Sequence, residues 1–146
     1  MTSASSITAI GSSISLSTFL SRIVAVILGI VAVLSGNGGV TVEITDEVTT
    51  ESESIVYEIK NTSFSRASAG YSFTLEVESE DEWNAVSFAE GYGFRAVAVV
   101  ISAFASFTVT VDLNDAFGGP LDAGNYRLTV SVSGTDYSTE FTVVQA

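Results

Sequence analysis

The stretch Tyr126-Arg-Leu-Thr-Val-Ser-Val132 alternates without a break: Tyr126, Leu128, Val130 and Val132 fall on one side, Arg127, Thr129 and Ser131 on the other. Successive side chains of an extended strand point to opposite faces, so this rhythm predicts a strand with one buried face. The same period of two recurs on either side of it. Upstream, Phe107, Val109, Val111 and Leu113 oppose Thr108, Thr110 and Asp112, while Tyr71, Phe73, Leu75 and Val77 oppose Ser72, Thr74, Glu76 and Glu78. Further back, Ile55, Tyr57 and Ile59 alternate with Val56, Glu58 and Lys60, and Val40, Val42 and Ile44 with Thr41, Glu43 and Thr45. Downstream, Phe141 and Val143 turn inward. Short strands at this spacing, divided by polar and Gly-rich turns, predict an all-β antiparallel sandwich over residues 40–146.

One segment breaks the pattern. Phe94 to Phe104, FRAVAVVISAF, is apolar on both faces, Val97/Val99/Ile101 and Ala96/Ala98/Val100. One face is expected against the core. The other is buried by a further strand or left as a subunit contact, for which Val97, Val99 and Ile101 are the candidates. A small alanine-rich helix also fits.

Before Glu43 the only charged side chain is Arg22, and from Ile23 to Leu34 every position is apolar except Gly29. A soluble helix would carry a polar stripe here. Twelve residues of helix rise only about 18 Å against a bilayer core of about 30 Å. Extended back to Ile14 through hydroxyl residues, the segment reaches spanning length. The expected organisation is a flexible tail over 1–13, a hydrophobic transmembrane-type helix over 14–35, a Gly-rich linker over 36–39, and the sandwich. A cleaved signal peptide and a helix buried among protein chains are the alternatives, although no Lys or Arg precedes Arg22 as a signal peptide requires. Ser21, Ala25, Gly29 and Ala32 share one helix side, a small-residue row of the kind that lets helices associate closely.

The chain has 146 residues and a net charge of −12, and beyond residue 38 four basic side chains face seventeen acidic ones. So negative a surface repels phosphate and argues against nucleic acid. The acidic bias, with a single lysine (Lys60), is expected of a protein working in high salt, where charge repulsion is screened to a few Å. The absence of cysteine rules out a disulfide framework.

Five short runs carry a resemblance. They are Tyr57-Glu-Ile-Lys-Asn61-Thr62, Phe73-Thr-Leu-Glu-Val77, Glu82-Trp83-Asn-Ala-Val86-Ser-Phe88, Ser106-Phe-Thr-Val-Thr-Val111 and Asp122-Ala-Gly124-Asn-Tyr126-Arg-Leu128-Thr-Val130. Over about residues 40 to 145 the series resembles the immunoglobulin-like domains repeated in archaeal and bacterial surface proteins and found beside some galactosidase catalytic modules. The resemblance implies an immunoglobulin-like sandwich in which Tyr126 forms a tyrosine corner, its hydroxyl bonding a backbone group upstream. Leu128 then stands where an antibody domain has its second cysteine. Family members usually show a P-x-G-like turn before the S-x-T-V-x-V strand, and Ala103 to Ala105 replaces it here.

Chemistry has few candidates. With no histidine or cysteine, nucleophilic catalysis through either is excluded and zinc lacks its usual nitrogen and sulfur ligands. Glu78, Glu80, Asp81 and Glu82 form an acidic run expected to be a solvated turn rather than an acid–base pair. Asp112, Asn114 and Asp115 offer hard oxygens, but the spacing lacks the glycine and closing glutamate of a calcium loop and reads as a turn. Gly118-Gly119-Pro120 is a turn too, since no lysine follows to make a phosphate loop. Asn61-Thr62-Ser63 is a glycosylation acceptor motif or simply the turn after a strand. No catalytic residue, cofactor or metal is expected.

The expected function is therefore a non-enzymatic structural subunit of an extracellular assembly, a virion coat or vertex component or a surface protein of a halophilic archaeal system. Its partners would be further copies or other coat or surface subunits, and the membrane or a helix bundle through residues 14–35. A lone Arg22 on the flank favours an inside amino terminus and an outside sandwich. Pilin- and archaellin-like filament subunits join similar parts, but the basic processing site before their helix is missing here. A binding module, adhesin or carbohydrate-binding, is the reading of another class; it needs an exposed aromatic cluster, for which Trp83, Tyr92 and Phe94 are candidates.

Overall fold

The structure is a computed structural model and describes residues 39–146. The expected tail (1–13), helix (14–35) and most of the linker, with Ser21, Ala25, Gly29 and Ala32, lie outside the described residues. Among the described residues no helix is long and apolar enough to cross a membrane.

Among the described residues ten strands and one short helix follow in order: β1 (Val40–Ile44), β2 (Val48–Thr49), β3 (Ser54–Asn61), β4 (Ala67–Ala69), β5 (Thr74–Ser79), β6 (Glu82–Ala85), β7 (Val99–Ile101), β8 (Ser106–Asp112), α1 (Leu113–Phe117), β9 (Gly124–Val132) and β10 (Thr135–Val144). One sheet has the order β1-β3-β8, antiparallel throughout. In the other, β10 pairs along the whole of β9 and takes β2 in parallel on its far side. The remaining side of β9 is shared: β5 lies opposite Tyr126–Thr129 and β4 meets it at Val132. Outside these, β6 extends β5 and β7 extends β4. The core lies between the two sheets.

Burial follows the alternation. Tyr126, Leu128, Val130 and Val132 of β9 face Ile55, Tyr57 and Ile59 of β3 within one apolar core, joined by Leu75, Val109, Val111 and Val143. The tyrosine corner is present: the Tyr126 hydroxyl donates to the Asp122 carbonyl at 2.8 Å. Burial first, and then the Asp122 carboxylate, raises the Tyr126 phenol above its ordinary value.

Two local readings are corrected. Leu113 does not extend β8; it opens α1, where the Asp112 carboxylate accepts from the Asp115 N–H at 3.0 Å and caps the helix start. The helix closes on Gly118, left-handed at φ 85°, whose N–H reaches the Asn114 carbonyl. The alanine-rich segment forms no helix either, since only Val99–Ile101 is regular and it is extended. Within the acidic loop after β1, Val48 is buried and starts the two-residue β2, too short for alternation to reveal.

The chain reverses at two poles. Gly39, the loop 61–66, the loop 102–105 and the turn 133–134 form one pole, called the root because the chain enters the domain there. The loop 45–53, the turn at Glu80–Asp81 and the segment 112–123 form the opposite pole, the crown.

Two outcomes are expected. Leu128→Ala, at a fully buried site in the central strand, lowers unfolding free energy by about 3 kcal/mol in chemical denaturation, through lost transfer energy plus a cavity. The buried Tyr57 hydroxyl has no hydrogen-bond partner, and burial first, then Tyr92, raises its pKa well above the ordinary 10.0. The folded phenol holds its proton where the unfolded one loses it. The contribution of Tyr57 to stability is then constant up to about pH 10 and falls above it, because the unfolded phenol binds fewer protons there. Tyr57→Phe leaves stability at neutral pH unchanged or raises it by about 1 kcal/mol, and it makes the alkaline fall shallower.

Candidate interaction surface

The root is organised by one side chain. Asn61 ends β3 and is only 1% exposed, the sole buried polar residue among those described. Its Nδ2 donates to the carbonyls of Ser65 at 2.7 Å, Ile101 at 3.0 Å and Ser102 at 3.1 Å. Its Oδ1 accepts from the Ser63 N–H at 3.1 Å and the Ser63 hydroxyl at 2.8 Å. The Asn61 N–H meets the Ala105 carbonyl, and the Thr62 N–H meets the Gly39 carbonyl at 2.7 Å. One asparagine thus ties the β3–β4 loop, the end of β7 and the β7–β8 loop beside the point of chain arrival. The amide that a glycan at Asn61 would use is the one engaged here. An amide nitrogen buried and donating to three carbonyls cannot carry a sugar without dismantling the turn.

These loops project two aromatic rings. Phe64 is 90% exposed and Phe104 62%, and they meet edge to face with centroids 4.9 Å apart. Phe104 is also held left-handed, at φ 59°, a region that a bulky side chain avoids. It stands in the Ala103–Ala105 stretch that replaces the family's usual turn. Val97 and Val100 are exposed as well, whereas Val99 is half-buried and Ile101 is core. The proposed contact triad is therefore divided: Ile101 points into the sandwich, Val99 is half-buried and Val97 is exposed.

The aromatic candidates for a binding module go elsewhere. Phe88 stacks on Tyr92 at 5.4 Å and on Phe117 at 5.2 Å, and Phe73 and Phe94 pack edge-on against it. The Ala89 N–H donates to the Ala116 carbonyl at 2.7 Å, which fastens this loop to α1 near the crown. Burial and then Asp115 and Asp112 raise the Tyr92 phenol. Trp83 is covered by Arg127, whose guanidinium lies 4.5 Å from the ring centroid and bonds Glu76 at 2.7 Å. A shallow groove of about 490 Å³ runs between β4 and the 95–98 segment, lined by Ser68, Tyr71, Val97 and Ser133, with Arg95 stacked over Tyr71 at 4.6 Å.

Charge divides along the long axis. The loop 45–53 and the turn 78–82 carry four carboxylates each, and the segment 112–122 three more. The root loops carry Arg66 and no carboxylate; Asp136 is the first acid up β10. Lys60 just inside the root bridges Glu43 at 3.2 Å and Glu58 at 3.7 Å, and the Glu43 contact first of all raises its pKa. Among the described residues no group of three His, Cys, Asp or Glu side chains is placed to hold a metal ion.

A two-sheet sandwich with a tyrosine corner matches, over residues 36–142, the family described as bacterial Ig-like domain. The chain belongs to that family. Bacterial Ig-like domains are typically non-catalytic and are often extracellular. No curated protein matches the chain. Solved structures similar to this bacterial Ig-like domain include the seventh PapD-like domain of human CEP192, 11% identical, covering 73% of this chain and 83% of that one at a TM-score of 0.38. Another is the alkylpurine DNA glycosylase AlkC of Pseudomonas fluorescens bound to DNA containing an abasic site analog, 18% identical over 77% of this chain and 33% of that, TM-score 0.39. A third is the β-glucosidase of Listeria innocua in complex with gluconolactone, 18% identical over 72% of this chain and 16% of that, TM-score 0.35.

Asn61→Ala is expected to lower unfolding free energy by about 3 kcal/mol, since it strands carbonyls that the amide satisfies. Mass spectrometry of the intact chain from its native source is expected to find no sugar at Asn61.

Proposed function

We propose that the chain is a non-enzymatic structural subunit of an extracellular assembly, held by the apolar segment 14–35 and displaying the Ig-like sandwich outward. The observation that carries this reading is the pairing of an almost uncharged, apolar run before residue 36 with a sandwich whose carboxylates gather at the pole away from the point of arrival. A charged crown prefers water or a salt-rich exterior, while the uncharged segment prefers lipid or the inside of a helix bundle. Ser21, Ala25, Gly29 and Ala32 would bring anchors of neighbouring subunits together. The finer setting we propose is the coat or surface of a halophilic archaeal system, on the strength of the acidic bias. The adhesin reading loses ground because Trp83, Tyr92 and Phe94 are engaged by Arg127 and by the crown aromatics.

The test uses the full chain. Reconstituted with phosphatidylcholine vesicles, it is expected to float with lipid and resist alkaline extraction, whereas Val26→Arg with Ile30→Arg loses at least tenfold in the floated fraction, each charge costing about 3 kcal/mol at mid-bilayer. Equal flotation of the two chains overturns the reading.

A further inference from the structure

We propose that the root of the sandwich rests on the bilayer surface, with the Phe64 and Phe104 rings set among the headgroups and upper acyl chains. The inference rests on the anchored reading above and adds how the domain is oriented and what it touches. Three observations converge. Phe64 and Phe104 are the two most exposed large apolar side chains among the described residues and form a single pair. The Thr62–Gly39 and Asn61–Ala105 backbone bonds place that pair's loops beside the residue where the chain enters the domain. Only Ser35 to Gly38 separate Gly39 from the apolar run ending at Leu34. Four residues fully extended span at most about 14 Å. A root tethered that closely to lipid stays within reach of the interfacial layer, which is about 5–8 Å deep on each side of a core of about 30 Å in a bilayer of about 40–45 Å.

Charge complementarity selects lipid over an acidic partner copy or open solvent. The root loops bring the guanidinium of Arg66, mostly exposed serine and threonine hydroxyls, and no carboxylate, all compatible with phosphate headgroups. With the crown carrying its carboxylates at the opposite pole, the reverse orientation would press acids against the same phosphates. The backbone at Phe104 agrees with a working role. A left-handed conformation at a bulky residue is a cost that the Asn61 clamp sustains, and its effect is to hold the ring out beside Phe64 instead of folding it onto the core.

The experiment reads depth. The full chain carrying Phe64→Trp and Trp83→Phe, and the unmodified chain with its native Trp83, are reconstituted into phosphatidylcholine–phosphatidylglycerol vesicles with and without lipids brominated just below the headgroup. Flotation is scored on the same samples, and circular dichroism confirms the fold. The expected result is at least about twofold quenching of the indole introduced at position 64, with Trp83 unchanged, and loss of most of that quenching when Phe104→Gly is added and the chain still floats. A chain that floats with no quenching at position 64 overturns this inference and leaves the anchored reading standing. Blue-shifted emission that bromine does not quench assigns the pair to a contact between copies, and likewise overturns it. A chain that does not float overturns both.

Discussion

A single buried amide sets the geometry of one end of this domain. Asn61 supplies two N–H groups to three carbonyls and two lone pairs to Ser63, so that loops from both sheets share one fixed point. In a low-dielectric interior such a network is worth most when complete, since each stranded carbonyl costs about 1–3 kcal/mol. That completeness is what allows neighbouring backbone to be unfavourable. Phe104 adopts a left-handed conformation only because Ala105 and Ser102 on either side are already pinned. Stability in the turn and strain in the loop belong to the same device.

The surface charge has its own organisation. Most carboxylates sit in the crown loops, which contain neither lysine nor arginine to oppose the repulsion between them. Such a cluster is tolerable where salt screens it, because at 1 M ionic strength the screening length falls to about 3 Å. The ion pairs among the described residues are partly exposed and sit on strand faces, Lys60 with Glu43 and Glu58, Arg127 with Glu76. They fix register more than they add free energy.

What could be read in advance was what has a period. The inward positions of β1, β3, β8 and β9 follow from alternation, and the Tyr126 corner from a local motif whose hydroxyl has a defined partner. Short elements escaped: β2 has two residues and β4 three, below the length at which a pattern exists. The segment 94–104 escaped for another reason. With both faces apolar its composition cannot tell Ile101, which points inward, from Val100, which does not; the β4 pairing decides. The Phe64 and Phe104 pair joins residues forty positions apart through loops, and the signals that could have found it were weak ones: a lone Phe in the polar run Asn61–Arg66 and a departure from the family's turn at Ala103–Ala105.

The placement of β1 has a mechanical corollary. β1 begins one residue after Gly39 and runs from root to crown, bonded along β3 from Val40 opposite Asn61 to Ile44 opposite Tyr57. Tension applied through the segment before Gly39 therefore pulls β1 along its own axis. All rungs of that ladder are loaded together in shear, and none can peel ahead of the rest. A domain loaded in this way withstands a tug at its point of entry before it begins to unravel.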